Sequence, residues 1–227
     1  MDDHPRGLGW TPGPVDDRDF LLSAFAPERP ALSGEKGWGW AGMNDLDQRH
    51  EGACTSFSIG NSVNCEPRRA DVDSDFCFDA YHATTRRDEF PGDWTSGQEG
   101  TSLRSAMKEW RRRNAISSFA FSYSVEEVVA WVLNRGPVCI GVRWYEGMHD
   151  PTEENGWYLE PTGERLGGHA ICVSRVHWGM GDDNYVVLLN SWGRASWGRN
   201  GRAKLSEESF RALLEDDPIG TAIAAVE

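Results

Sequence analysis

The chain has 227 residues, 39% hydrophobic and 26% charged, which suits one globular domain or two small lobes sharing a cleft. A formal net charge of -13 argues against nucleic acid as a partner, because phosphates would be repelled over most of the surface. No run of about 18 apolar residues is present, so no membrane span is expected, and the opening Met1-Asp-Asp-His-Pro-Arg6 has no charged-then-apolar export signal.

Residues 1–47 are rich in Gly, Pro and Trp, show little periodicity, and read as an irregular arm. Trp10, Phe20, Leu21, Leu22 and Phe25 are too apolar for a free tail, so the arm is expected to pack across the body. A helix is expected to begin at Cys54, where Phe57, Ile59, Val63 and Cys65 are interleaved with Ser56, Ser58, Gly60 and Ser62, as in a helix buried between two halves. Phe76 to Ala83 reads as a second helix. Leu103, Ala106, Met107 and Trp110 stand at i, i+3, i+4 and i+7 of a third, started by Thr101 or Ser102 and ended by Arg111-Arg112-Arg113, which complement its C-terminal dipole.

Ser124 with Glu127 reads as a capping box opening a fourth helix, with Val125, Val128, Val129, Val132 and Leu133 on one stripe and Gly136-Pro137 at its end. The period then changes. Val138–Val142, Ala170–Val173, Tyr185–Leu189 and Thr221–Val226 read as strands, interrupted by a short helix from Ser206 to Leu214. Helices first and strands second imply an α+β protein with a cleft where the layers meet. The expected division is an arm over 1–47, a mainly helical lobe over 48–135 and a mainly β lobe over 136–227.

Cys54, His169 and Asn190 follow in the order needed for a thiol nucleophile, its imidazole partner and a group that orients the ring. A thiol near pKa ~8.5 is a poor nucleophile at neutral pH until it ionises. The helix N-terminus at Cys54 and an imidazolium at His169 would favour the thiolate, giving an ion pair ready before substrate arrives. Gln48 and the backbone N–H of Cys54 are candidate donors for the oxyanion formed on attack. Cys65, Cys77, Cys139 and Cys172 sit in apolar or helical contexts and read as core thiols. An odd count of five without an export signal suits a reducing compartment, with the cytoplasm expected.

No metal or other cofactor is expected. His169-x-x-Cys172 lacks a second pair at zinc-ligand spacing, and Asp71-x-Asp73-x-Asp75 has Phe76 and His82 where a calcium loop needs Gly and Glu, so it reads as a solvated acidic turn. His4, His50, His82, His149 and His177 read as surface or structural groups.

Taken together, Gln48…Gly52-Ala-Cys54-x-Ser-Phe57, Gly168-His169-Ala170 and Asn190-Ser-Trp-Gly193…Trp197-Gly-x-Asn-Gly201 resemble the papain family of cysteine peptidases, in particular compact bacterial and phage-type members. The resemblance covers roughly residues 8–205. It implies a two-lobed fold, a helical lobe with a central nucleophile helix against an antiparallel β-barrel-like lobe. It also implies Cys54 as nucleophile, His169 as general acid/base, Asn190 as orienter and Gln48 as oxyanion donor. Trp192 would shield the Asn–His hydrogen bond and Trp197 would line the leaving-group side. Gly52, Gly168 and the Gly97–Thr101 loop, with Gly100 and Thr101, would meet an extended peptide. Gly141 and Gly167 fall where side chains line the main specificity pocket, which is therefore expected to be roomy.

Departures accompany the likeness. Glu51 and Thr55 replace a Cys and an aromatic around the nucleophile, the Cys54–His169 spacing is short, and Arg194-Ala-Ser196 is inserted before Trp197. The arm is too short for a long inhibitory propeptide, so regulation is expected to differ or be unnecessary. The implied activity is hydrolysis of polypeptides through an acyl-enzyme. The alternatives are an amidase or acyl transferase, including a cell-wall peptide hydrolase, and a silent peptide-binding scaffold. A phage-encoded member would work in the host cytoplasm or virion.

Overall fold

The computed structural model describes residues 6–26, 30–40, 45–96, 100–181, 183–215, 217 and 220–226. The small side chains interleaved after Cys54 let α1 (Cys54–Asn64) run with every residue buried, because Ser, Gly and Asn allow neighbours to approach on all sides. α2 (Ser74–Thr85) begins where Asp73 accepts the Phe76 N–H at 2.8 Å, so the acidic turn serves as a cap. Ser102 caps α3 (Leu103–Arg112) in the same way. The basic run at its end is drawn onto buried Glu109, which receives Arg112 and Arg113 as well as Arg87 from α2's end.

α4 (Val125–Asn134) starts as the sequence suggests, but its expected capping box does not form. Glu127 instead accepts the Ser122 hydroxyl at 2.7 Å, and the Val125 N–H is satisfied by Glu215 at 2.7 Å. A carboxylate 90 residues away has taken over the local cap.

The strands in chain order are β1 (Gly34–Gly37), β2 (Ser118–Ser122), β3 (Val138–Tyr145), β4 (Arg165–Trp178), β5 (Tyr185–Leu189), β6 (Arg202–Ser206) and β7 (Thr221–Val226), with α5 (Glu207–Leu214) between the last two. They pair antiparallel in the order β2-β7-β3-β4-β5-β6, with β1 added to β4. β5 and β7 have the expected bounds; β3 and β4 run well beyond theirs, and β1, β2 and β6 were not foreseen. The architecture is α+β, with two apolar cores. In one, Val128, Val129 and Val132 of α4 meet Ile140, Ile171 and Val173 of the sheet. In the other, Phe57, Met107 and Trp110 meet Cys139, Ala170 and Ile223, so α1 is pressed against β3 and β4 and α3 against β7.

Candidate active site

β4 is the element on which the site is assembled. It presents His169, whose Nε2 lies 2.8 Å from Asn190 Oδ1, and the next residue's backbone N–H, from Ala170, which donates to Cys54 Sγ at 3.3 Å. Asn190 Oδ1 also receives the N–H of Ser191 at 2.8 Å. A backbone N–H can only donate, so that amide atom is oxygen, and the histidine nitrogen facing it carries the proton. Nδ1 is thereby left as the imidazole's lone-pair nitrogen. It is buried and makes no hydrogen bond among the described residues, which suits a base waiting for a proton.

The ring is walled by Trp144 and Trp192, each with its centroid 4.7 Å from that of His169. Trp197 joins the same aromatic group, 5.9 Å from Trp192, and gives its indole N–H to the His149 carbonyl. Gln48 is fully buried. Its Oε1 accepts the Ser191 hydroxyl at 2.7 Å, which aims Nε2 into the cleft. Asn61 on α1 ties down the Asn190 carbonyl at 3.2 Å. Trp144, Ser191 and Asn61 were missed from sequence; Ser191 stands inside the Asn190-Ser-Trp motif, whereas Trp144 and Asn61 gave no local signal.

The cleft is occupied by the chain's own arm. The Gly7 carbonyl receives Gln48 Nε2 at 3.0 Å and the Trp192 indole N–H at 3.3 Å. Thr101 N–H donates to Gly9 O at 2.8 Å and Thr11 N–H to Thr101 O at 3.1 Å, while Trp10 N–H reaches Gly168 O at 3.0 Å. A methyl group on Gly9 would lie 1.9 Å from Gly52 O, and one on Gly100 2.0 Å from Gly9 O, so neither side of this contact has room for a Cβ. The Trp10 indole fills the space above Gly141, where a Cβ would come within 2.2 Å of it, and Leu8 lies against Gly167. Arg6 packs over Trp192 and bonds His149 O and Ser196 O.

Of the residues expected to meet substrate, Gly52, Gly100, Thr101, Gly168 and Trp192 all contact the arm; Trp197 stands behind Trp192, and Gly97–Glu99 lie outside the described residues. The arm therefore packs across the body, as its apolar residues suggested, and does so over the residues expected to meet substrate. The arm is held further along by the buried Arg104–Asp19 pair and by Leu22 in the core, while Phe20 and Leu21 remain exposed.

Covering the site changes its charge state. Burial pushes the Cys54 thiol up to about 11, against the lowering effect of N–H groups from Ala170, Gly9, Thr55 and Cys54 itself. Burial pulls His169 down to about 4, partly opposed by its bond to Asn190. Both shifts favour the neutral thiol and the neutral imidazole over the thiolate–imidazolium pair expected from sequence. The cause is desolvation, which outweighs the amide donors around the sulfur, Gly9 of the arm among them.

Cys65, Cys77, Cys139 and Cys172 are buried free thiols. Cys172 packs with Cys65 and Leu189. It stands three places from His169 on β4, so the two side chains leave opposite faces of the sheet.

This arrangement of a buried helix carrying the thiol against an antiparallel sheet carrying the imidazole is the papain-like fold. Xylellain, a cysteine protease from Xylella fastidiosa, superposes with a TM-score of 0.58 over 99% of this chain and 98% of its own at 16% identity. Digestive procathepsin L 3 of Tenebrio molitor gives 0.64 over 97% and 76% at 14% identity. In sequence, the chain is similar to cathepsin B-like cysteine proteinase 4 of Caenorhabditis elegans, 30% identical over 107 residues, 46% of this chain and 30% of that protein. Cathepsin B-like protease 1 of Arabidopsis thaliana is 33% identical over 106 residues, 46% of this chain and 27% of the relative. The matched stretch thus spans under a third of these curated relatives. No protein-family profile matches the chain.

Proposed function

We propose that the protein is a cysteine peptidase held latent by its own N-terminal arm. The observation that carries this reading is the joint placement of Cys54 and His169: the sulfur is held by the amide next to the imidazole, and Asn190 leaves Nδ1 as the ring's base. Once the arm leaves, Nδ1 takes the thiol proton, the sulfur attacks a peptide carbonyl, and the imidazolium returns that proton to the departing amine. Gln48 Nε2 and the Cys54 N–H hold the oxyanion, with the Trp192 indole N–H a further donor, since it already shares the Gly7 carbonyl with Gln48.

Arg6 packs over Trp192, on the side where we place a substrate's leaving amine, and Trp10 fills the space above Gly141, so the arm lies in reverse to the substrate we propose. Buried free thiols suit a reducing compartment, so we assign the enzyme to the cytoplasm.

A second reading, a silent peptide-binding scaffold, is favoured by the occupied cleft and neutral pair. The test is peptide-library cleavage by a Trp10→Ala protein beside its Cys54→Ala double variant. Cleavage that vanishes with Cys54 supports the peptidase. A folded Trp10→Ala protein that neither cleaves nor takes up an epoxide thiol inhibitor supports the scaffold.

A further inference from the structure

A cavity of about 520 Å³ lies between β1, β4, β5 and β6, and none of the candidate active-site residues lines it. That volume falls within the range of small-molecule sites. It is lined by Arg175, Arg199, Arg202 and Lys204 against one carboxylate, Glu66, in a chain whose overall charge is -13. Glu66 is already engaged, by Arg69 and by the Gly39 N–H. Arg175 reaches Glu35 at 3.2 Å, but Arg199, Arg202 and Lys204 have no carboxylate partner among the described residues. Arg202 is the most costly of these: burial, and then its neighbours Arg194 and Arg175, push its guanidinium below the ordinary value. Like charges gathered without counter-ions destabilise a fold unless an anion joins them.

The other half of the lining is aromatic. Trp38, Trp157 and Tyr185 border the cavity. Lys204 Nζ stands 5.0 Å and 5.2 Å from the rings of Tyr158 and Tyr185, so its charge is held between π faces. Trp157 is kept at φ +66°, a backbone region that bulky residues seldom adopt, by the bonds Trp157 N–H to Thr152 O and Lys204 N–H to Trp157 O. The bonds hold a wide indole at the rim in a conformation that costs folding energy.

We propose that this cavity binds a free nucleotide, its phosphates on Arg199, Arg202 and Lys204 and its base against Trp157, since Lys36 covers Trp38 and His177 stacks on Tyr185. Arginine forks match phosphate oxygens bidentately, and aromatic faces accept any base by stacking. A long nucleic-acid strand is disfavoured because the charge beyond the cavity is negative. The site does not touch Cys54 or His169, so it stands or falls independently of the peptidase reading.

Calorimetric titration of the full chain with ADP, pyrophosphate and adenosine tests both halves of the site. ADP is expected to bind at least tenfold more tightly than either fragment, and more weakly as salt rises. The Arg202→Gln/Lys204→Gln protein should lose at least tenfold in ADP affinity. Should that variant fail to fold, the exposed Arg199→Gln is expected to weaken ADP about threefold with an unchanged melting temperature. The proposal is overturned if ADP binds no better than pyrophosphate, or if folded variants bind ADP as the parent does.

Discussion

If the arm is what shuts the cleft, weakening its anchor must expose the thiol, and Trp10 is the anchor with most to lose. Its indole is 4% exposed and seated on Gly141. Truncating a buried aromatic in a contact of this kind costs roughly 2–4 kcal/mol. At 1.4 kcal/mol per decade, Trp10→Ala should raise the open population by roughly 30-fold to 10³-fold. The reading is the rate at which iodoacetamide or an epoxide inhibitor modifies Cys54, followed by intact-mass and peptide mapping so that the other thiols are counted separately. Gly9→Ala is the companion variant, because its methyl would sit 1.9 Å from Gly52 O and nothing but the arm contact need be lost. Both proteins should melt as one cooperative unit and label far faster than the parent. If both stay folded and Cys54 labels at the parental rate, the arm is not the barrier and the latency argument is wrong.

His169 supplies a pH signature. Its folded pKa, about 4, lies below the ordinary 6.5, so the covered state holds it neutral and loses stability as pH falls from 6.5 towards 4. At 1.36 kcal/mol per unit the loss is about 3 kcal/mol, to order of magnitude, and His169→Gln should flatten that part of a melting-temperature profile. In a Trp10→Ala background, Gln48→Ala should lower kcat by about 10²–10³, whereas Ser191→Ala, which only loosens Gln48, should cost about tenfold or less; equal losses would contradict a donor role for Gln48. Arg104 and Asp19, with side chains 10% and 11% exposed, form the arm's buried ion pair. Arg104→Met strands the carboxylate and should destabilise by roughly 3 kcal/mol in denaturant titration, with much of it regained on adding Asp19→Leu.

What the sequence disclosed follows from the range of each interaction. The helices at Cys54 and Leu103 and the strands Tyr185–Leu189 and Thr221–Val226 are set by side chains within a turn or a pleat, and their bounds could be read locally. Cys54, His169 and Asn190 each sit in a short motif, so the groups that the fold brings together could be picked out locally. The Ser124 cap was misread because Glu215 competes from across the fold, and β1 because Gly34-Glu-Lys-Gly37 has no apolar alternation. β6 did carry a signal, Arg202-Ala-Lys-Leu-Ser, that alternates with the pleat and was passed over.

The arm's packing follows from its apolar residues, but its path over the candidate site depends on glycines on both sides of the contact. Gly7 and Gly9 lie where a Cβ would strike Glu51 O and Gly52 O, and Gly100 and Gly168 where it would strike Gly9 O and Trp10 O. Glycines that open a cleft to a substrate backbone open it equally to the chain's own, so their pattern alone cannot say which occupant is meant. The energetics of the pair separates the two. A substrate-ready site needs thiolate and imidazolium, whereas beneath the arm the thiol is pushed to about 11 and the imidazole to about 4. If lifting Trp10 from Gly141 admits water to both groups, the thiol pKa is expected to fall and the imidazole pKa to rise, which the pH profile of Cys54 labelling in Trp10→Ala would show.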